Sequence, residues 1–444
     1  MQPNILFVLT DNQRRDLLGS APNPIIHTPT LDHLANRGTR FTHAFATTPI
    51  CAASRASILT GLYERRHQFT FDAPPLRSEL ARASYPALLR RAGYRTGLIG
   101  KLGIESRGIG DIVDIEGAPE IIPELFDHLD HYEHWTPAGY EIPQEDGSVR
   151  HLTDLTGDKA IAFIRDSRQP FCLSISFNAP HAQDGDPRQY IWPESEDPLY
   201  ADTVFPPIAD LAEFDSLPPF LQKAESRRRW ALRYDTPEKH QRSMRGLYRM
   251  VSGVDRNLGR ILAELERLGI AEQTVVIFSS DHGMFYGERG LSDCWLLHEE
   301  SLRVPLLIYD PRVDRSRATC DQMVLNIDIA PTLLTLAGLS APEGYQGRSL
   351  VPLLGAEPVR WRRDFLCEHH FAHPGIPKSE GLRTEQWKYF RYYEEKPPYE
   401  ALYHLETDAG ERTNLATDPA SAQQLQSMRA RCDQLIREAA STHT

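Results

Sequence analysis

Paired cysteines are missing from this chain. Its six cysteines (51, 172, 294, 320, 367 and 432) are scattered through 444 residues without a CxxC pair. That excludes a disulfide framework or a cysteine zinc site and makes reduced thiols the expectation. Long apolar runs are missing too, and no stretch approaches the ~20 residues of a bilayer-spanning helix, so no membrane partner is expected. Basic residues are not in excess: 49 Lys and Arg against 61 Asp and Glu leave a net charge of −12. Such a balance argues against general nucleic-acid binding, although a local basic pocket stays open. Met1-Gln-Pro leads directly into Asn4-Ile-Leu-Phe-Val-Leu-Thr10, without the basic leader, longer apolar stretch and cleavage site of a signal peptide. A cytoplasmic location is expected, or a periplasmic one if a leader was removed. Internal repeats and low-complexity segments are absent.

What is present is the composition of a soluble globular protein, 41% hydrophobic and 25% charged, long enough for two domains. Asn4–Thr10, Arg95–Gly100, Pro170–Phe177, Thr274–Ser280 and Val304–Tyr309 are short, nearly continuous apolar runs, as in strands covered on both faces. Helical patterns alternate with them, at about 30–36, 85–92, 152–166, 329–337 and, longest, 241–269. The expected fold is α/β, a large doubly wound mixed sheet flanked by helices over residues 1–355, with a loop-rich insertion at about 183–235. Beyond about residue 355 the pattern changes to short antiparallel strands and a final helix, a smaller C-terminal α+β subdomain over 356–444.

Chemistry collects at the strand ends. Asp11-Asn12, Asn178–His181 and Asp281-His282 each follow an apolar run, and Lys101 follows a fourth. Ligands in open α/β sheets bind beyond the carboxyl ends of strands. An Asp or Asn after a strand is most often a turn or a helix cap, but several at one edge suggest a metal held mainly by oxygen. Asp11 and Asp281 would be its anionic ligands, the Asn12 carbonyl a neutral one and His282 a nitrogen ligand or hydrogen-bond donor. Oxygen-rich sites suit Ca²⁺, and a nitrogen ligand tilts toward Mn²⁺. Cys51-Ala-Ala-Ser54-Arg55 reads as the opening of a helix, so an anion is favoured beside Cys51, with Arg55 one turn on. A buried, inert cysteine is the competing reading.

These residues carry a resemblance. Cys51-Ala-Ala-Ser54-Arg55 fits the signature Cys-x-(Pro or Ala)-Ser-Arg of type I sulfatases of the alkaline phosphatase superfamily. Asn4–Gln13, Gly93–Lys101, Ala179-Pro-His181, Asp281-His-Gly283, Glu299–Pro305, Gly347-Arg-Ser-Leu and Trp387-Lys-Tyr also resemble that family, in the same order. The resemblance implies a sulfuric ester hydrolase whose Cys51 is converted by a formylglycine-generating maturation enzyme. On that resemblance the hydrated formylglycine would attack the sulfur of a sulfate ester, and the substrate would be a small sulfated molecule such as a saccharide. It further implies Asp11, Asn12, Asp281 and His282, with residue 51, as ligands of a divalent metal, Ca²⁺ foremost, with Mn²⁺ or Mg²⁺ as alternatives. Arg55 and Lys101 would neutralise the growing negative charge, and His181 would be the general acid.

Three positions depart from the family pattern. Asn12 replaces an aspartate and removes a charge from the metal site. Gly103 stands where a histidine is common, with Glu105 or Ser106 as candidate substitutes. Cys294 stands where many relatives have a sulfate-binding lysine; His298 or Arg289 would have to approach instead, and packing beneath Trp295 is the simplest use of the thiol. His369 and His370 are further candidates for substrate binding, and the insertion residues Asp184, Asp186, Arg188, Tyr190 and Trp192 mix aromatic and charged groups suited to polar rings. The departures keep two alternatives open: a phosphonate monoester or phosphodiester hydrolase, and a degenerate sulfatase that binds sulfated glycans without turnover.

Overall fold

A computed structural model describes residues 2–73, 76–104, 124–131, 139–168, 170–207, 211–313, 318–355 and 357–441. Glu105 and Ser106 lie outside them. An eight-stranded sheet runs in the spatial order Thr319–Cys320, Thr39–Phe41, Leu306–Tyr309, Thr274–Ser280, Asn4–Thr10, Phe171–Ser176, Arg95–Gly100, His128–His131. Asn4–Thr10 is parallel to both neighbours, Phe171–Ser176 and Thr274–Ser280, whereas Leu306–Tyr309 is antiparallel to Thr274–Ser280. The sheet is therefore mixed, as expected.

The period-2 geometry of a strand sends alternate residues to opposite faces. In the first strand Ile5, Phe7 and Leu9 join one apolar cluster, with Ala52, Ala56 and Leu333 from the helices on that side. Leu6 and Val8 join the other, with Phe163, Leu247, Val254 and Leu258. The unbroken apolar run thus follows from two covered faces. The longest helix, Pro237–Arg267, begins four residues earlier than the apolar pattern suggests. Thr236 caps it by accepting from the Lys239 N–H, and proline fits the first turn, where no intrahelical N–H partner is required.

The insertion is more helical than a loop-rich reading implied. Glu225–Arg233 forms a helix, supported by Glu225 pairing with Arg228 and Arg229 at the i+3 and i+4 positions. In the C-terminal region four antiparallel strands (Asp364–His369, Ser379–Thr384, Trp387–Tyr392, Tyr399–His404) are followed by the helix Ala422–Ala440. One face of this sheet packs on that helix through Leu366, Leu382 and Leu402. The other packs toward the large sheet's loops through Phe365, Phe390 and Tyr403.

Candidate active site

Strand register builds the site. Thr10 is level with Ser280, and Ser176 is level with both Leu9 and Gly100. The next residues on these parallel strands, Asp11, Asp281 and Lys101, therefore emerge together at one edge. Asn12 turns away with φ 68°, in the left-handed region where asparagine is among the tolerated side chains. Its N–H donates to Asp281 Oδ1 at 3.1 Å.

The helix Cys51–Thr60 enters this edge with its N-terminus. Every residue of it is buried, which explains its run of small side chains, and Gly61 ends it at φ 68°. The Ser54 hydroxyl donates to the Asp281 carbonyl (2.5 Å) and accepts from Asn326 Nδ2 (2.9 Å), fixing the first turn. Cys51 Sγ consequently lies 3.7 Å from Asp11 Oδ1 and 3.3 Å from His282 Nε2. Because His282 Nδ1 lies 2.8 Å from the Gly283 carbonyl, which can only accept, Nδ1 carries a proton and Nε2 faces the cluster.

One turn along, Arg55 ties the edge together. Its Nε donates to Asp281 Oδ2 (2.9 Å), Nη2 to Asp11 Oδ2 (3.1 Å), and Nη1 to the Lys101 carbonyl and Ser176 Oγ (2.9 and 2.6 Å). The Lys101 ammonium also contacts Asp11 Oδ2. Burial would raise the Asp11 pKa, but Lys101, His181, Arg55 and His282 outweigh it and hold the carboxyl well below its usual range. The Cys51 thiol is pushed well up by burial and by Asp11, so it is no ready thiolate. His282 is raised to about 10: burial lowers it, while Cys294, Asp281 and Asp11 raise it.

Donor atoms of Asp11, Cys51, Asp281 and His282 all lie within 4.8 Å of one another. Asn12 Oδ1 is buried beside them with no hydrogen-bond partner among the described residues. Two carboxylates, an imidazole and an orphaned amide oxygen, in reach of two compensating cations, fit a divalent metal. The neighbouring departures have steric explanations. Gly103 has φ +72°, and a Cβ there would approach Arg55 Cδ to 2.6 Å, so the arginine occupies the space a side chain needs. Cys294 is buried and lies between Asp293 (φ 72°) and Trp295 (φ 74°). It packs with Ile50, Ala53, Trp295 and Phe371, as the simplest reading required, and it is near enough to His282 to help raise that residue's pKa.

Above Cys51 opens a cavity of about 230 Å³. His181 lines it; its Nδ1 lies 2.6 Å from the Ala182 carbonyl, so Nδ1 bears the proton and Nε2 is the atom suited to exchange with a leaving group. The walls come from residues that apolar periodicity could not single out: Phe71, Trp295, Phe371 and Ile376, with Arg229 and Glu225 from the insertion helix. Asp184, noted in the sequence as part of a charged loop, is there also.

Other candidates are placed elsewhere. His298 is buried among Phe285, Phe390 and Tyr403, with ring centroids 5.1–6.1 Å away. It is not in the cavity wall, and burial together with Arg289 and Lys388 keeps it neutral. Arg289 binds Glu300 (2.7 Å) and the Gly410 carbonyl, joining the C-terminal region to the large sheet. His370 contacts Glu368 Oε2 (3.0 Å) and Tyr393 Oη (2.9 Å). These three are corrected from substrate-binding candidates to packing residues, since their polar atoms are committed or sealed beneath other side chains. His369 is fully buried behind Phe371, with neither ring nitrogen partnered among the described residues. It does not line the cavity either. In the insertion, Tyr190 bonds Tyr234 (3.0 Å), Trp192 bonds Asp197 (2.6 Å), and Arg188 pairs with Asp186 and Glu141, all holding the loop in place.

A mixed α/β sheet with carboxylates, an imidazole and two buried cations at one edge defines a hydrolase built for an anionic ester. Comparison with known proteins narrows this class. A profile of the sulfatase family matches residues 3–339, and one for the C-terminal part of N-sulphoglucosamine sulphohydrolase matches 287–438. The chain is 31% identical to choline-sulfatase of Rhizobium meliloti, over 94% of this chain and 83% of that protein. It is 27% identical to N-acetylglucosamine-6-O-sulfatase of Bacteroides thetaiotaomicron, over 93% and 82%. A structure solved with its substrate D-glucosamine-2-N,6-O-disulfate superposes with a TM-score of 0.81 at 25% identity, covering 99% of this chain and 98% of the other. The phosphonate monoester hydrolase of Silicibacter pomeroyi shares the fold, with a TM-score of 0.82 at 22% identity over 100% and 96%. The chain belongs to the sulfatase family, type I within the alkaline phosphatase superfamily, and is a sulfuric ester hydrolase. Membership implies a divalent metal and a formylglycine derived from cysteine.

Proposed function

We propose that this chain removes sulfate from a small sulfated saccharide, using residue 51 as nucleophile after conversion to formylglycine by a maturation enzyme. The observation that carries the reading is Cys51 Sγ at a helix N-terminus, 3.7 Å from Asp11 and 3.3 Å from His282, at the floor of a cavity. Asp11, Asn12, Asp281 and His282 would hold the metal, with Ca²⁺ as our first choice. When present, the metal and the hydrated aldehyde supply an acidified hydroxyl nucleophile.

The chain's own residues do the rest. Arg55 and Lys101 keep Asp11 ionised in a buried setting, and Arg55 fixes the orientation of Asp281. Both cations stay charged: burial would lower their pKa values, yet the facing carboxylates raise them. His181 Nε2, the ring atom turned from the Ala182 carbonyl, would deliver a proton to the departing alkoxide when the ring is protonated. Replacing His181 with alanine should lower the rate about 10²-fold or more on an alkyl or sugar sulfate, and much less on 4-nitrophenyl sulfate, whose leaving group needs no proton. Equal losses on both substrates would remove His181 from that role.

The reading is tested by sulfate release from N-acetylglucosamine 6-sulfate and 4-nitrophenyl sulfate, with mass spectrometry at residue 51. Turnover by protein with an intact thiol would overturn the formylglycine mechanism. The neutral Asn12 favours a second reading, hydrolysis of a phosphonate monoester or phosphodiester. A rate on an aryl phosphodiester exceeding that on the matching aryl sulfate would establish it.

A further inference from the structure

As encoded, residue 51 is a thiol, and it stands inside the donor cluster. Its Sγ lies 3.3 Å from His282 Nε2 and 3.7 Å from Asp11 Oδ1, and His282 Nε2 lies 3.8 Å from Asp281 Oδ1. Zinc sits about 2.3 Å from a cysteine sulfur, and about 2.0–2.2 Å from histidine nitrogen or carboxylate oxygen. A tetrahedron with those arms has edges of about 3.3–3.6 Å, and the three observed separations match it to within about 0.4 Å. All four donor atoms lie within 4.8 Å of one another. The outer oxygens of both carboxylates are taken. Asp281 Oδ2 accepts from Arg55 Nε (2.9 Å), and Asp11 Oδ2 accepts from Arg55 Nη2 (3.1 Å) and Lys101. Each aspartate thus offers the centre one oxygen, and that of Asp281 is aimed by the Asn12 and His282 N–H groups (3.1 and 2.8 Å).

One sulfur, one nitrogen and two single oxygens are the number and mixture of ligands that suit Zn²⁺, which also tolerates a fifth donor such as Asn12 Oδ1. Ca²⁺ takes six to eight oxygens and has little use for sulfur. Charge points the same way. Arg55 and Lys101 already balance Asp11 and Asp281, so a divalent ion leaves two positive charges uncompensated, and a Cys51 thiolate removes one. Cys294, in the same cavity lining, adds no cation where a lysine would oppose the metal. We infer that the chain with unconverted Cys51 is a zinc-binding protein, and that conversion to formylglycine exchanges sulfur for oxygen and turns the site toward Ca²⁺. On binding, the Cys51 S–H bond breaks, its proton leaves to solvent and the sulfur lone pair meets the ion, with no change of oxidation state. Its single thiolate distinguishes this centre from the paired-cysteine zinc sites that the sequence excludes. The zinc half needs only residues present in the chain; the switch to Ca²⁺ rests on the formylglycine reading.

Metal titration of the full chain with its thiol intact tests this without turnover, using Co²⁺ as the spectroscopic substitute for Zn²⁺. The thiol form should show a near-ultraviolet thiolate-to-cobalt absorption band and, in competition with a chelator, bind Zn²⁺ at least about 10²-fold more tightly than Ca²⁺. Cys51→Ser, which places oxygen where sulfur was, should lose the band and narrow that preference at least about tenfold. Formylglycine-bearing protein should do the same, and it keeps the test valid if Cys51→Ser fails to fold. Cys294→Ser should keep the band. No band in the thiol form, a band that survives Cys51→Ser, a band lost in Cys294→Ser, or tighter binding of Ca²⁺ than Zn²⁺ by the thiol form would overturn the proposal. Its failure is distinguishable from that of the sulfatase reading. If converted protein releases sulfate while the thiol form shows no band, only the zinc inference falls; a band without sulfate release from converted protein leaves the zinc site and removes the hydrolase.

Discussion

Two regions of the molecule carry dense charge in nearly dry surroundings, and they use it differently. At the large sheet's edge, Asp11, Asp281, Arg55 and Lys101 are gathered beneath an open cavity, beside an asparagine oxygen without a partner. Where the C-terminal sheet meets the body, Arg289 with Glu300 and Lys388 with Glu299 and Glu411 are sealed away from any opening beside His298. Buried ion pairs are weak evidence of function because both kinds of region hold them. What separates the two is geometry: parallel strand ends converge on one space, whereas the interface pairs only close on each other.

Substitutions can break this contrast, and the largest effect belongs to residue 51. Cys51→Ala should lower sulfate release by on the order of 10⁴-fold or more while leaving the far-UV circular dichroism spectrum unchanged; retained turnover would move the nucleophile elsewhere. Arg55→Ala should cost about 3–5 kcal/mol in urea unfolding, because Asp11 and Asp281 lose a buried partner, and about 10²–10³-fold in kcat. Arg289→Ala sharpens the comparison from the other side. It should destabilise by about 1–3 kcal/mol and leave kcat/KM within about threefold; a large kinetic loss with normal stability would return Arg289 to the site.

The smallest effect concerns Glu64, which accepts from the Thr48 hydroxyl at 2.7 Å, three residues before Cys51. Burial raises its pKa to about 7, with His370 opposing and Glu368 reinforcing the rise. The folded state therefore holds its proton more tightly than the unfolded chain, and stability falls as pH rises from about 4.5 to 7, by up to about 3 kcal/mol. His370, whose pKa is also raised, acts in the same direction. Glu64→Gln should flatten this slope in urea titrations at pH 5 and 7; an unchanged slope would assign it to other groups.

How much of this was legible depended on the range of the interaction. The runs before Asp11, Lys101 and Asp281 are local signals, and a strand that is apolar on both faces can only sit inside a covered sheet. Strand ends then place their next residues at one edge, so the cluster followed from order and periodicity. His298 and Arg289 looked available because both are polar and close in sequence to Glu299–Pro305, yet the C-terminal sheet packs over them. The start of the Pro237–Arg267 helix was missed because its first turn has polar residues and a cap in place of an apolar stripe.

By itself the sequence determined the alternation of strands and helices, the residues delivered at strand ends and the cysteine at a helix start, since these depend on neighbours a few positions apart. Tertiary structure decided the cavity wall. Phe71, Glu225, Trp295 and Phe371 are separated by up to 300 residues and meet only because the insertion helix and the C-terminal strands dock on the same edge. It also decided that Gly103 yields its space to Arg55 and that Cys294 lies near His282. Such contacts are set by packing between distant segments, and no local pattern records them.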